Sequence, residues 1–276
     1  MRTKRMMAGS IRYLILTLFA AIFLLPFVWM LAGSLKTLTG YYERPVQFAF
    51  FNVTLDNYRF VMERIGLLRH TSNSVLVAGS VAVLQLITSS CAAFAFSMLT
   101  FPGKKVLFGV VMATMMVPAC VMLVPLFIIT ERLGLMNTYW VMIVPFAFSG
   151  FGIFLMRQSY MGLPRDLFSA AEIDGAGYLR IFCRIYAPLS VPGMMSLVTI
   201  TFIQYFNSIL WPQIAVSSEA KTVLAVRMIS MVSFDRLMEP PKILATAAVC
   251  IIPPLVVFAS LQKFFVKGYT LSGIKG

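Results

Sequence analysis

Six long stretches of this chain carry no charged side chain, and this pattern constrains the fold more than any other feature. A bilayer core about 30 Å thick is crossed by about 20 residues of α-helix. A charge at its centre costs at least about 2.5 kcal/mol. The chain is 59% hydrophobic, with only 12% charged residues. The sequence therefore predicts an all-α membrane protein with six transmembrane helices, at residues 13–32, 74–98, 106–129, 139–156, 188–210 and 243–261.

Lysine and arginine are more concentrated in one set of connecting segments than in the other. Segments 1–12, 99–105, 157–187 and 262–276 hold 13 of the 23 basic residues, against 10 in the longer alternate set. Because basic residues favour the cytoplasmic side, both termini are predicted to be cytoplasmic. The net charge of +13 then indicates contact with anionic inner-leaflet lipid, and there is no reason to invoke nucleic acid.

The residue inventory excludes several kinds of chemistry. The single histidine, His70, lies outside the apolar stretches, and no GxxxxGK[ST] phosphate loop is present. A histidine-based nucleophile or metal cluster inside the membrane is therefore excluded, as is ATP hydrolysis by that loop. No carboxylate lies in a stretch, which disfavours proton coupling, whereas sodium coupling through backbone carbonyls stays open. What remains is a pore or transporter half without its own energy source.

The four cysteines indicate neither a disulfide framework nor a metal site. None of them belongs to a CxxC pair. Free cysteine is among the most buried residue types, so we expect buried free thiols.

The segment SAAEIDGAGYLRIF, residues 169–182, interrupts the apolar pattern with charges and glycines. From Leu163 onward, the apolar residues cluster on one side of a helical wheel: Leu163, Leu167, Phe168, Ala170 and Ala171. Gly175 suits a helix end in the left-handed region, and a second short helix follows, with Arg180 and Arg184 on one face. The pattern predicts two short amphipathic helices that form a compact knob on the cytoplasmic side. A membrane-surface loop with its arginines on lipid phosphates is the alternative.

The run SAAEIDGAGYLRIFCRIYAPLSVP resembles the EAA loop of ABC-type importer permeases. The matching residues are Ala170, Ala171, Asp174, Gly175, Ala176, Phe182, Pro188, Leu189 and Pro192. The stretches LDNYRF, AAFAFSMLTFPGKK and GYTLSGIKG, together with Asn73–Ser74, are similar to the carbohydrate-uptake branch, typified by the smaller membrane subunit of maltose importers.

This resemblance implies a type I ABC importer permease fold and a non-catalytic subunit of a sugar or oligosaccharide importer in the cytoplasmic membrane of a prokaryote. It implies residues 1–72 as an N-terminal span with an extracytoplasmic segment, and 73–276 as a core domain with a coupling loop at about 157–187 and a tail at 262–276. The implied partners are a second permease, two ATPases that bind ATP and magnesium, and an extracytoplasmic solute-binding protein, so no cofactor is expected in this chain. Import of glycerol-phosphate or another polar solute, and ion-coupled secondary transport, are the alternatives.

The resemblance also assigns residues to coupling with the ATPases. The family's first glutamate is replaced here by Ser169, so Glu172 or Asp174 is expected to supply the charge. The coupling residues are Ser169, Ala170, Ala171, Glu172, Asp174, Gly175 and Ala176 in the loop, with Gly273, Lys275 and Gly276 in the tail.

A second group of residues suggests a substrate path near the end of the fifth stretch. Sugars are held by aromatic stacking and amide hydrogen bonds, and the family's Trp-Asn pair appears here as Phe206–Asn207. The candidates are Gln204, Tyr205, Phe206, Asn207 and Trp211. Packing between helices is the alternative role for these side chains.

Overall fold

The computed structural model describes residues 2–43, 53–64, 66–234 and 239–272. Over these ranges the chain is mostly helical and contains no strand, apart from one isolated antiparallel bridge between Lys36 and Val53. The prediction of an all-α chain is therefore confirmed.

The helices follow one another with short connections. In chain order they are α1 (Arg2–Ser34), α2 (Leu38–Glu43), α3 (Asp56–Arg64), α4 (Leu67–Met98), α5 (Lys104–Thr114), α6 (Ala119–Arg132), α7 (Tyr139–Ile143), α8 (Gly150–Met161), α9 (Asp166–Ile173), α10 (Tyr178–Ile181), α11 (Ala187–Leu189), α12 (Val191–Phe206), α13 (Leu210–Ala215), α14 (Leu224–Phe234) and α15 (Pro240–Ser272). Two 3₁₀ turns, Val144–Phe146 and Glu219–Lys221, and a π-helix, Phe182–Tyr186, complete the series.

Three helices are long and apolar enough to cross a membrane without interruption. The qualifying ranges are Arg12–Ser34, Leu67–Met98 and Pro240–Phe264. Three further pairs pass the same test but are bent: α5 and α6 by 99°, Tyr139–Phe146 and α8 by 46°, and Tyr178–Leu189 and α12 by 78°. The described residues therefore contain three to six candidate spans, and six if each bent pair crosses once.

The bends are the main difference from the continuous stretches predicted from hydropathy. Pro118 starts α6 in an extended conformation, and Ser149 precedes α8 in another. The third bend falls at Ser190, two residues before Pro192. The predicted fifth stretch, 188–210, is also wrong at its end, because α12 stops at Phe206 and Asn207 is its C-cap. Hydropathy reports how apolar a segment is and not whether its backbone is continuous.

The chain divides into two compact units, Met1–Leu68 with Met228–Ile252, and Arg69–Arg227 with Pro253–Gly276. In the first, Asn57 lies within the LDNYRF motif, and its Nδ2 donates to the carbonyl oxygens of Ser34 and Lys36, each at 2.8 Å. One of these carbonyls belongs to the last residue of α1 and the other lies two residues beyond it, so the motif caps that helix. The predicted division into 1–72 and 73–276 stays a prediction.

Two hydrophobic clusters form the core of the second unit. One surrounds Phe94 of α4 and includes Met156 and Tyr160 of α8. The other joins Val77 and Val81 of α4 to Trp211 of α13. Helix α4 thus packs in both clusters, which places it at the centre of this unit.

The cysteines depart from the sequence prediction. Cys91, Cys120 and Cys183 are exposed and Cys250 is half-buried, so the expectation of buried thiols was wrong. The side chains of the three exposed cysteines project from helix surfaces where lipid or another subunit can cover an apolar thiol.

Glycines permit a close approach of helices in the second unit. A Cβ on Gly193 of α12 would lie 2.9 Å from the Cβ of Ser159 on α8. A Cβ on Gly79 of α4 would meet nothing within 4 Å. Small residues at such contacts allow two helices to pack backbone against backbone.

Replacing Gly193 by alanine is therefore expected to destabilise the protein by about 1–3 kcal/mol, because α8 and α12 must separate. The matched change Gly79→Ala should be neutral or stabilise by up to about 1 kcal/mol, since alanine favours the helix. Thermal unfolding of the purified protein in detergent measures both. Equal shifts for the two variants would contradict the close packing at Gly193.

Candidate functional site

A cavity of about 640 Å³ opens beside the bend between α7 and α8. Its size is in the range of small-ligand sites. Its polar lining includes Thr114, Ser149, Gln204 and Ser208, and no charged side chain is among the described residues that line it. The aromatic lining residues are Phe146, Phe148, Phe151, Tyr205 and Trp211.

The structure separates the five predicted substrate residues into two groups. Gln204, Tyr205 and Trp211 line the cavity. Phe206 is buried and stacks on Phe202 with ring centroids 5.7 Å apart, whereas the exposed Asn207 lies outside the lining. Because successive helical residues point about 100° apart, adjacent positions cannot all face one cavity.

Two of the lining rings are held in place by hydrogen bonds. Trp211 Nε1 donates to the carbonyl of Val141 at 2.9 Å. Tyr205 Oη accepts from Gln85 Nε2 at 3.3 Å, and its ring lies 5.2 Å from that of Phe146. Since Gln204 is exposed, the cavity presents fixed aromatic faces and one accessible amide.

Gln85 is the residue that the sequence reasoning missed. Its Nε2 donates to the carbonyl of Phe146 at 2.8 Å, and Thr201 Oγ1 donates to its Oε1 at 3.1 Å. One turn along α4, Thr88 Oγ1 donates to the carbonyl of Ala147 at 2.7 Å. These carbonyls lie at the bend, where the regular helical hydrogen bonds stop.

A signal for this role was present in the sequence. Gln85 is the only amide side chain in the stretch 74–98, and Thr88 lies three positions later on the same helical face. A buried amide in a predicted span requires hydrogen-bond partners, and an interrupted neighbouring helix supplies them. Its target, the backbone at Phe146 and Ala147, has no such marker in the sequence.

The polar segment forms the predicted knob, residues 166–189. Helix α9 ends at a glycine corner where Gly175 has φ of 74°, which confirms the left-handed conformation. The amide of Gly175 donates to Glu172 O at 3.0 Å, and that of Ala176 donates to Ala171 O at 2.9 Å. These two bonds constitute a Schellman motif, which fixes the direction of the following helix.

The predicted coupling residues of the knob lie on two sides of α9. Ala171 is buried and Ala176 half-buried, so these two face the spans. The exposed residues are Ser169, Ala170, Glu172, Asp174 and Gly175. Two large apolar side chains share the open surface, Ile173 at 86% exposure and Leu179 at 74%. Gly273, Lys275 and Gly276 of the tail lie outside the described residues.

Aromatic contacts seat the knob on α4. The ring of Phe94 lies 6.2 Å from Phe168 of α9 and 5.4 Å from both Phe182 and Tyr186 of the π-helix. Tyr160 of α8 lies 6.3 Å from the same ring. Tyr160 also contacts the knob directly, with its ring 6.4 Å from Phe182 and 6.1 Å from Tyr186. The knob is therefore packed against two spans, through Phe94 of α4 and Tyr160 of α8.

At the other end of α4, Asn73 and Ser74 hold a loop that precedes α14. Asn73 Nδ2 donates to the carbonyls of Ala220 and Thr222, at 3.0 and 2.9 Å. Ser74 Oγ accepts from the amide of Leu224 at 2.8 Å. These side chains fix the loop to the start of α4.

Curated relatives match nearly the whole chain. The arabinooligosaccharides transport system permease protein AraQ of Bacillus subtilis (strain 168) is 31% identical, with 97% of each chain covered. The lactose transport system permease protein LacG of Rhizobium radiobacter is 29% identical, with 96% of each covered. The sn-glycerol-3-phosphate transport system permease protein UgpE of Brucella melitensis biotype 1 is 30% identical, covering 96% of this chain and 97% of that protein.

A solved structure supports the fold. A chain of a bacterial ABC transporter involved in the import of the acidic polysaccharide alginate superposes with a TM-score of 0.81 at 22% identity, covering 96% of this chain and 98% of that one. The family model described as "binding-protein-dependent transport system inner membrane component" matches residues 85–270. This chain therefore belongs to the family of binding-protein-dependent transport system inner membrane components.

Proposed function

We propose that this chain is a permease subunit of an ATP-driven importer and that its cargo is an uncharged saccharide. The cavity beside the bent α7–α8 pair carries this proposal. Aromatic faces stack on sugar rings, and amides and hydroxyls bond to sugar hydroxyls. The relatives named for arabino-oligosaccharides and lactose agree with such a cargo.

The relative named for sn-glycerol-3-phosphate keeps a phosphorylated cargo as the alternative. A phosphate ester in a water-poor site requires positive side chains or helix N-termini to replace its hydration. The described lining contains aromatic, aliphatic, hydroxyl and amide groups. It therefore favours a neutral solute over an anionic one.

The proposal assigns six spans, with both termini in the cytoplasm, and no catalytic role to this subunit. A second permease completes the path, and two ATPases bind ATP and magnesium. The knob, residues 166–189, docks on one ATPase, and the loop that Asn73 and Ser74 hold meets an extracytoplasmic solute-binding protein. The exposed Ile173 and Leu179 support a docking role for the knob, because exposed apolar surface on a polar segment is typical of an interface.

Reconstituted vesicles test the assignment. The chain, co-purified with its partners and supplied with the binding protein, is expected to accumulate a neutral oligosaccharide only when ATP is present. Uptake of sn-glycerol-3-phosphate should stay at the level of vesicles without protein. If ATP drives uptake of sn-glycerol-3-phosphate and not of the oligosaccharide, the cargo is the phosphate ester. If a sodium gradient drives uptake without ATP, the chain is not part of an ATP-driven importer for either cargo.

The glycine corner provides a test of coupling. A Cβ on Gly175 would meet nothing within 4 Å, so a substitution there acts through the backbone alone. The left-handed conformation costs an ordinary residue about 1–2 kcal/mol and a β-branched residue more, whereas asparagine tolerates it.

Gly175→Val is therefore expected to reduce the ATPase activity that the loaded binding protein stimulates, with normal membrane levels of the chain. Gly175→Asn, the matched control, should keep most of the stimulation. ATPase assays of both complexes, with and without binding protein, decide the matter. Full stimulation of the valine variant would show that the corner does not affect coupling.

Two amide side chains, Gln204 in α12 and Asn207 at its C-cap, are expected to differ in their effect on saccharide affinity. Gln204→Leu should weaken the apparent affinity for saccharide by about fivefold, because a hydrogen bond to the cargo is worth about 1 kcal/mol. Asn207→Leu, outside the lining, should change it less than twofold. Concentration-dependent uptake measures both values. If only Asn207→Leu weakened the affinity, the substrate path would not run through this cavity.

A further inference from the structure

Three cations converge on the carboxyl end of α4. Lys104 Nζ donates to the carbonyl of Leu99 at 2.7 Å and lies 3.5 Å from that of Ser97. Arg165 Nη2 donates to the same Ser97 carbonyl at 3.4 Å. Arg157 Nε donates to the carbonyl of Phe96 at 3.3 Å. Lys104, Arg157 and Arg165 are called the basic cluster below.

The basic cluster has no acidic partner among the residues that the structure describes. The ion pairs among the described residues join Arg59 to Glu63, Arg227 to Glu219 and Lys242 to Glu239, and none of them includes a residue of the cluster. Two cations at one carbonyl oxygen repel each other, and the partial negative charge of a helix end offsets only part of a charge. The cluster therefore carries excess positive charge.

The two arginines of the cluster keep free hydrogen-bonding capacity. A guanidinium has five N–H donors, and one donor of each arginine is accounted for by a helix carbonyl. The guanidinium of Arg157 lies over the ring of Phe108, 4.4 Å from its centroid, which fixes its position. Guanidinium groups bind phosphate oxygens in a bidentate manner. The cluster is thus suited to an anion with several oxygens.

Helix α5, which carries Lys104, has an exposed apolar strip, and Leu107 is the residue of this strip that lies nearest to the side of Lys104. Helix α5 starts at Lys104, and its residues Val106, Leu107 and Val110 are 71%, 51% and 57% exposed. Val106 and Val110 lie on one helical face. A ligand with an anionic head and an apolar chain would place the head at the cluster and the chain along this strip.

We propose that the basic cluster binds the headgroup phosphate of an anionic phospholipid, with an acyl chain on the exposed face of α5. The proposal rests on the cytoplasmic assignment of this end under the proposed function, because anionic lipid is enriched in that leaflet. An acidic surface of an ATPase would contact the cations alone, whereas a phospholipid would also contact the exposed apolar residues of α5. The structure therefore favours the lipid.

Native mass spectrometry and thermal unfolding of the complete complex in neutral detergent test this proposal. Phosphatidylglycerol is expected to bind and to raise the unfolding temperature. Phosphatidylcholine, which has the phosphate without net charge, and diacylglycerol, which lacks it, should do so at least fivefold more weakly. Inorganic phosphate should compete only at far higher concentration. Equal binding of phosphatidylcholine, or saturation by inorganic phosphate at the lipid's concentration, would overturn the proposal.

Charge-removing variants localise the effect. Arg157→Gln with Arg165→Gln removes both charges. Glutamine Nε2 takes the place of the Arg157 Nε that bonds to Phe96, whereas at position 165 it is too short to replace Nη2, so the bond to Ser97 is lost there. Each lost charge should weaken phosphatidylglycerol binding about fivefold, and the pair about 25-fold. The control Lys105→Gln removes the same charge from an exposed neighbour and should weaken binding less than twofold.

The remaining outcomes separate the two proposals. Equal losses for Lys105→Gln and a cluster arginine would mean diffuse attraction and no site. A double variant that is less stable without lipid but binds phosphatidylglycerol normally would make the cluster structural only. If phosphatidylglycerol does not bind while the ATPases are bound, the basic cluster is a contact site for the ATPase and not for lipid. A complex that binds the lipid as expected but does not use ATP would refute the proposed function and leave the lipid site in place.

Discussion

Every peptide group inside a membrane must find a hydrogen-bond partner within the protein, and this constraint determines how the second unit is built. The bend between α7 and α8 removes regular partners from the carbonyls of Phe146 and Ala147, and Gln85 and Thr88 of α4 supply replacements. The same bend opens the space that becomes the cavity. The cavity therefore depends on the polar face of a helix that contributes no direct lining to it.

Helix α4 connects this polar site to the knob. Phe94, which seats the knob, and Gln85, which bonds at the bend, lie nine residues apart on one continuous helix, a separation of about 13 Å. A packed helix moves as a rigid element, so under the proposed function a displacement of the knob would reach the cavity without any change inside α4. Under the proposed function, the rings packed on Phe94 and Tyr160 would transmit motion of the knob to the spans.

The sequence predicted the parts of this architecture that depend on composition and local geometry. The helical class follows from uncharged apolar stretches, and the corner at Gly175 follows from the conformational freedom of glycine. The bends could not be predicted, since breaks near Pro118 and Ser149 depend on partners from distant helices. For the same reason Gln204 and Asn207 looked equivalent in sequence, although only Gln204 lines the cavity.

A neutral cavity also has a consequence for the proposed transport. Charged side chains would hold a cargo tightly and would raise the cost of an empty path through a low-dielectric region. Fixed aromatic faces such as Tyr205, with an accessible amide at Gln204, offer contacts that are individually weak and exchangeable with water. A path must bind its cargo strongly enough to admit it and weakly enough to release it. High selectivity is then best placed outside the membrane, in the binding protein that delivers the saccharide.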